Sequence, residues 1–287
     1  MFSSIEESDR TLVLNKCYWP IINLVDTIDI PIAIEASAIT LQLIEELDHE
    51  FINKLKSLIH NNKCEFISSG YSQIISPLVP SNINISNIAC GLEIYKEILD
   101  FIPSIALINE QAYSSGLVDI YKQSGFDAIV IDWCNSNLTP ASYNQELLYH
   151  SQFALGDNGS IIPIIWNNSI SFQKFQRFVF GEIEIEEYAD YLKKHIGPSS
   201  RNFPIYGNDA EVFNYRPGKN YSLLHPSIYI EWDRITSLLL HLKEMNIFNF
   251  IKLRDVLEES ESDFSGHLMQ IQTPENPIQV KKQDKYN

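Results

Sequence analysis

The sequence is poor in cysteine, in basic residues and in long apolar runs, and each shortage removes a class of protein. Four cysteines, Cys17, Cys64, Cys90 and Cys134, stand apart in 287 residues, with no C-x-x-C pair and no histidine at ligand spacing. Neither a thiolate metal site nor a disulfide scaffold is expected, and the thiols read as core residues. Lys and Arg total 21 against 37 Asp and Glu, a net charge of −16. An acidic surface repels phosphate backbones and anionic lipid headgroups, so neither nucleic acid nor membrane is expected as a partner. The longest apolar runs, such as 161–166, are far short of the roughly 20 residues that span a bilayer. The opening Met1-Phe2-Ser3-Ser4-Ile5-Glu6-Glu7 has neither the basic start nor the apolar stretch of a signal peptide, and the chain reads as cytoplasmic. The G-x-G-x-x-G fingerprint of dinucleotide binding is absent, and no cofactor is expected.

What the chain does have is apolar substance, 45% of its residues, enough for a sizeable core. Short β-branched runs at 31–36, 64–68, 104–109, 128–133, 161–166, 202–206 and, more weakly, 248–253 read as strands. Most are nearly continuous apolar runs, as in strands buried on both faces. Between them, Leu41, Ile44, Leu47, Phe51, Leu55, Leu58 and Ile59 recur at three and four, which predicts a helix over 40–60. Further helices are predicted at 87–101, 117–123, 184–195 and 229–245. Alternation of this kind argues for a parallel sheet with crossover helices, and its repetition for a closed β/α barrel over an open doubly wound sheet. Chemistry in such barrels sits at the C-terminal ends of the strands.

The residues that close the predicted strands are acids, amides and aromatics: Glu35-Ala36-Ser37, Ser68 to Gln73, Asn109 to Tyr113, Asp132-Trp133, Trp166-Asn167-Asn168 and Tyr206 to Glu211. Phosphate chemistry wants Lys, Arg and Gly, whereas carboxylates and amides pair with sugar hydroxyls and aromatic rings stack on a pyranose face. A glycosidase needs two carboxyl groups flanking the scissile bond. Glu110 and Asp209 are the natural pair, each closely following an apolar run. An arbitrary acid more often caps a helix or pairs with a surface cation, and what distinguishes these two is Gln111, Tyr113, Asn208 and Glu211 beside them.

Three segments then resemble signature regions of glycoside hydrolase family 57: Ser69-Gly70-Tyr71-Ser72-Gln73-Ile74-Ile75-Ser76-Pro77, Asn109-Glu110-Gln111-Ala112-Tyr113, and Tyr206-Gly207-Asn208-Asp209-Ala210-Glu211-Val212-Phe213. That family contains α-amylases, amylopullulanases, 4-α-glucanotransferases, α-galactosidases and glycogen branching enzymes on a seven-stranded β/α barrel. The resemblance spans about 17–217. It implies a distorted, TIM-like (β/α)7 barrel, with Glu110 as catalytic nucleophile and Asp209 as acid/base of a retaining double displacement on an oligo- or polysaccharide. Tyr71, Tyr113, Trp133 and Trp166 are the candidates for stacking on the sugar. Glu35, Gln73 and Glu211, with Gln173 and Arg177 four apart on a predicted helix and Arg216 in Tyr215-Arg216-Pro217-Gly218, are further candidates for binding it.

Family members open with a histidine-bearing strand, and this sequence has no histidine before His49. The first strand is therefore expected to be missing or truncated, leaving an open barrel edge. The barrel is expected over 1–258, and 259–287 as a linker and the start of a shortened C-terminal region. Two other readings compete. A barrel that binds carbohydrate without turning it over, or an inactive truncated relative, needs no catalytic pair. A metal-dependent polysaccharide deacetylase needs Asp with a His-x-x-x-His pair, a spacing that the seven histidines do not offer.

Overall fold

The computed structural model describes residues 5–134, 144–215, 230–258, 264–269 and 271. A helical segment leads in, α1 (Arg10–Val13), a π-helical turn (Leu14–Tyr18) and α2 (Trp19–Ile28). Alternation then begins with β1 (Ile32–Ala36), α3 (Ala38–Leu47), α4 (His49–His60), β2 (Cys64–Ser68), α5 (Ser81–Leu99), β3 (Ile105–Leu107), α6 (Gly116–Gln123) and β4 (Ala128–Asp132). A hairpin of β5 (Gln152–Leu155) and β6 (Ile161–Asn167) follows, then α7 (Ser169–Val179), α8 (Ile185–Lys193), α9 (Ile230–Glu244), α10 (Asp255–Glu258) and β7 (Leu268–Met269).

The strands form one sheet in the order β1-β2-β3-β4-β6-β5-β7. From β1 through β4 to β6 every pairing is parallel. β5 runs antiparallel to β6, and β7 is parallel to β5. β2 and β4 are buried on both faces and β3 and β6 nearly so, which suits their largely apolar runs, while β1 at the sheet edge is half-buried with Ala33 exposed. Phe66 packs outward against the helices that precede it, and Ala106, Ile129, Ile131 and Ile164 pack in a second cluster with α6. On the inner face Ile67, Ile105, Ala128, Val130 and Ile165 form a separate cluster, against which Leu253, Val256 and Leu257 of the α10 region pack.

Local chemistry explains the element boundaries. The periodic stripe over 40–60 is broken at Asp48, whose Oδ1 accepts from Phe51 N at 3.1 Å and so caps α4. The same carboxylate accepts from Trp19 Nε1 at 2.8 Å, which fixes the bend against α2. Helix α5 begins directly after Pro80, which has no N–H to lose at a helix start, and stops at Asp100 in the left-handed region. The β5–β6 turn is held by buried Asp119, whose carboxylate accepts from Asn158 N at 3.0 Å and Ser160 N at 3.4 Å.

Two predicted strands are corrected. The runs 202–206 and 248–253 are irregular and join no ladder. Pro204 has no N–H to give a neighbouring strand, and its carbonyl is taken instead by the Ser171 hydroxyl at 2.7 Å. The second run is tied at its end by buried Glu65, which accepts from Leu253 N at 2.8 Å and Arg254 Nε at 3.0 Å. Both runs nevertheless lie against the same cavity as the inner face of the sheet. β5 and β7 were not foreseen, being short and, in β5, opened by a polar residue.

The cavity has a volume of about 910 Å³ and is lined by Ile32, Ile34, Ile67, Leu107, Val130 and Ile165 from successive strands. Its polar end lies at the C-terminal ends of those strands. β1 is the terminal strand of the sheet, so among the described residues its outer edge carries no ladder partner.

Candidate active site

Glu110 sits three residues past the end of β3, in a tight turn closed by Gln111 N to Ile108 O at 3.0 Å and Ala112 N to Asn109 O at 3.1 Å. Making that turn puts two consecutive non-glycine residues in the left-handed region, Glu110 at φ 53° and Gln111 at φ 54°. Crowding of Cβ against the backbone makes this conformation unfavourable for an L-residue. The turn leaves Glu110 exposed on the cavity wall.

Asp209 reaches the same cavity from the opposite arm of the chain. It too is exposed, and the Tyr206 hydroxyl donates to its carbonyl at 2.8 Å. Asn167, at the end of β6, donates through Nδ2 to Gly207 O at 3.3 Å. A side chain at position 207 would put its Cβ 2.5 Å from Asn167 Oδ1, so only glycine allows this approach.

Around the two acids, several buried polar atoms have no hydrogen-bond partner among the described residues: Asn109 Oδ1, Gln111 Oε1, Trp166 Nε1 and Glu211 Oε2, while the Ser69 hydroxyl and the Glu35 carboxyl face one another. Glu35, Asn109, Gln111 and Trp166 line the cavity. Buried polar atoms are otherwise almost always paired, and a group left unpaired costs free energy. A cluster of them at one mouth suits a ligand dense in hydroxyls.

Electrostatics divides the acids into two kinds. Burial pushes the Glu35 carboxyl above its ordinary range, and the charges of Asp209 and Glu211 add to the push, while the nearby Ser69 hydroxyl opposes it. Burial likewise raises Glu211, against the hydrogen bond it accepts at Oε1 from the Tyr18 hydroxyl, and the charge of Asp209 raises it further. Tyr18 is itself pushed far up, first by burial and then by Glu211. The mouth thus pairs two exposed acids with half-buried Glu35 and buried Glu211, both biased toward the protonated form.

Of the binding candidates, Glu35, Gln73 and Trp166 line the cavity with Glu110 and Asp209. Glu211 lies just behind the wall, bonded to Tyr18. Trp133 stands edge-on to Trp166, with centroids 5.0 Å apart. Tyr71 packs on the cluster built by α2 to α5, and its N–H is bound to Asn87 O at 2.8 Å. Tyr113 is buried in the α6 cluster, its hydroxyl raised by burial and by the charges of Asp157 and Asp119. Neither tyrosine reaches the cavity. Gln173 and Arg177 lie on the exposed face of α7, where Arg177 pairs with Glu182 at 3.0 Å. Arg216 lies outside the described residues.

Several contributors escaped the sequence reading. Fully buried Tyr95 of α5 donates to Ala36 O at 2.8 Å and Gly70 O at 2.9 Å and accepts from Ser69 N at 3.3 Å. It therefore joins the C-terminal ends of β1 and β2 from behind. The far wall holds Arg201, which grips Glu146 through Nε at 3.0 Å and covers the Tyr149 ring at 4.4 Å. His195 accepts or donates to the Tyr149 hydroxyl at 2.9 Å and stacks on Phe203. Only their clustering of aromatic and charged types could have marked them. Among the described residues, no group of three or more His, Cys, Asp or Glu converges to hold a metal. No helix among them is long and apolar enough to cross a membrane.

Fold and cavity together define a TIM-like β/α barrel with a carboxylate-lined mouth. The chain belongs to glycosyl hydrolase family 57, whose family model matches residues 1–263. It is similar to an α-amylase of Pyrococcus furiosus, 23% identical over 225 residues that cover 77% of this chain and 33% of the relative. It thus spans about a third of the length of the curated relatives it matches. In structure it resembles the 4-α-glucanotransferase of Thermococcus litoralis, with a TM-score of 0.73 at 17% identity, over 94% of this chain and 40% of that one. A family 57 branching enzyme from Thermococcus kodakaraensis aligns with a TM-score of 0.65 at 12% identity, over 90% of this chain and 67% of that one. At these identities the structural likeness speaks for the fold.

Proposed function

We propose that this chain is the catalytic barrel, over residues 1–258, of a retaining enzyme acting on α-glucans, of the amylase, 4-α-glucanotransferase or branching-enzyme type. Glu110 is the nucleophile and Asp209 the acid/base. The observation that carries the reading is that both carboxylates line one cavity whose mouth holds a cluster of unpaired buried polar atoms. The names of the relatives, α-amylase and 4-α-glucanotransferase, support the α-glucan as substrate class.

In the first displacement the Glu110 carboxylate attacks the anomeric carbon. The bond from that carbon to the glycosidic oxygen breaks, and the oxygen takes its proton from Asp209. In the second, the Asp209 carboxylate removes a proton from water or from an acceptor sugar hydroxyl. That oxygen then displaces Glu110 from the anomeric carbon, and the enzyme returns to its starting state. Water gives hydrolysis and a sugar gives transfer. Such a mechanism needs the two carboxyls about 5–5.5 Å apart with sugar bound. Glu35, biased toward its protonated form by burial, donates to a sugar hydroxyl, while Asn109 and Gln111 accept from others. Trp166, with Trp133 edge-on behind it, offers an apolar surface and its free indole N–H.

The test compares the wild type with Glu110→Gln and Asp209→Asn on maltooligosaccharides and glycogen. Loss of turnover in both variants is expected. Lengthened as well as shortened products would mark transfer, and shortened ones alone hydrolysis. Equal rates from all three proteins would sink the assignment, and sugar binding without turnover by any of them would point to a binding barrel.

A further inference from the structure

The segment that carries Asp209 belongs to no strand, so no ladder of backbone hydrogen bonds holds it. Side chains from the opposite end of the chain hold it instead. The Tyr18 hydroxyl donates to Glu211 Oε1, the Cys17 thiol to Phe213 O at 3.2 Å, and the Tyr215 hydroxyl to Asp9 Oδ2 at 2.8 Å. These three links pin every second residue from 211 to 215 to the segment 9–18. The π-helical turn at Leu14–Tyr18 lies under the first two of them. A π turn adds a residue to the helical repeat and so re-aims the side chains that follow, and such turns are enriched at functional sites. Cys17 and Tyr18 are both buried in the same core as Tyr215. Tyr18 also lines the cavity, so its hydroxyl stands between the cavity wall and Glu211.

We propose that Tyr18 is a positioning residue for Asp209, its hydroxyl seated on Glu211 and thereby fixing the turn at 209–213 against the N-terminal helical segment. The proposal rests on the reading of Asp209 as acid/base. Of the three links, that of Tyr18 lies nearest Asp209 and joins two buried side chains, away from competing water. On the other side the turn is held by Asn167 at Gly207 O and by the Tyr206 hydroxyl at Asp209 O. Without Tyr18, the links nearest to Asp209 would lie on one side only.

Tyr18→Phe removes the hydroxyl and keeps the ring in place against Phe51. Backbone amide hydrogen exchange over 210–213 is expected to speed up in this variant, while exchange in β1 and β2 stays as in the wild type. Tyr215→Phe, which loosens the same segment from its far end, is expected to give a smaller acceleration. On maltooligosaccharides Tyr18→Phe is expected to lower kcat roughly 10- to 100-fold at unchanged KM, the effect of an acid/base displaced by about an ångström. Unchanged exchange over 210–213 in both variants overturns the proposal. So does wild-type kcat in Tyr18→Phe on a substrate that Glu110→Gln cannot turn over. If Glu110→Gln is as active as the wild type, the nucleophile assignment falls, and the exchange measurement still decides the role of Tyr18.

Discussion

Replacing Glu110 by glycine and, separately, by alanine isolates the backbone strain at the mouth of the barrel. Glu110 is exposed, and its side chain makes no hydrogen bond or ion pair among the described residues, so both truncations remove the same few contacts. They differ in what they do to the turn. At φ 53° an L-residue carries a penalty of about 1–2 kcal/mol that glycine escapes. Against this, glycine in an ordinary conformation is about 0.5–1 kcal/mol worse than alanine, because its unfolded chain has more freedom to lose. The difference leaves Glu110→Gly more stable than Glu110→Ala by about 0.75 kcal/mol at the middle of both ranges and by at most about 1.5 kcal/mol, the reverse of the usual order. In a domain of this size that is a rise in melting temperature of roughly 2 °C. Urea unfolding of the two variants side by side, with equal m-values, measures it. Neither should turn over an α-glucan, so stability would be gained at a position where activity is lost, as expected where strain is held for function. An alanine variant more stable than the glycine variant would refute the left-handed turn, and with it the geometry that presents Glu110 to the cavity.

Tyr95→Phe removes one hydroxyl that serves Ala36 O, Gly70 O and Ser69 N together, so that each loses a buried hydrogen bond, although Gly70 O keeps the one from Ala38 N at 3.0 Å. A loss of about 1–3 kcal/mol in urea unfolding is expected, and a loss under about 0.5 kcal/mol would show that the hydroxyl is not what joins the ends of β1 and β2. For Glu35, whose carboxyl is raised in the fold by burial, the folded state binds more protons than the unfolded state between the ordinary value of 4.5 and the raised one. Its contribution therefore penalises the fold at pH above the raised value and fades as pH falls toward 4.5, so wild type should gain on Glu35→Gln as the medium is acidified. Parallel stability curves for the two from neutral pH to about pH 4 would contradict the burial of this carboxyl.

Much of the fold was legible because parallel strands buried on both faces must be apolar throughout. The runs at β1, β2, β4 and β6 could be read almost to the residue, since each is an unbroken stretch between turn-forming segments. The helices at α6, α8 and α9 followed from their stripes and their stops. Failures came where a local rule met a tertiary competitor. The stripe over 40–60 is continuous, yet Asp48 prefers to cap Phe51 and bind Trp19. The run 202–206 has the composition of a strand, but Pro204 cannot complete a ladder, and Ser171, 33 residues earlier, takes its carbonyl. Nothing in a window of a few residues contains that partner.

The site was legible to the extent that it is built from strand ends. Glu35, Gln73, Glu110, Trp166 and Asp209 lie at or a few residues beyond the ends of apolar runs and do line one cavity. Tyr71 and Tyr113 lie as close to strand ends, yet they turn into the core, because the sequence gives a residue's place along the chain and not the direction of its side chain at an irregular turn. The same limit hid Tyr18 and Tyr95, which act on the site from elements whose own patterns report only helix or core. The −16 charge is likewise uninformative by sum alone. At the mouth the acids are separated by exposure, Glu110 and Asp209 exposed, Glu35 half-buried and Glu211 buried, the last two with their carboxyls raised. Two solvent-exposed acids beside two carboxyls drawn toward the acid form by burial make a site that can accept and donate at once. Residue counts give all four the same charge, and the separation exists only once the Tyr18 segment and the ends of β1 and β2 have closed around two of them.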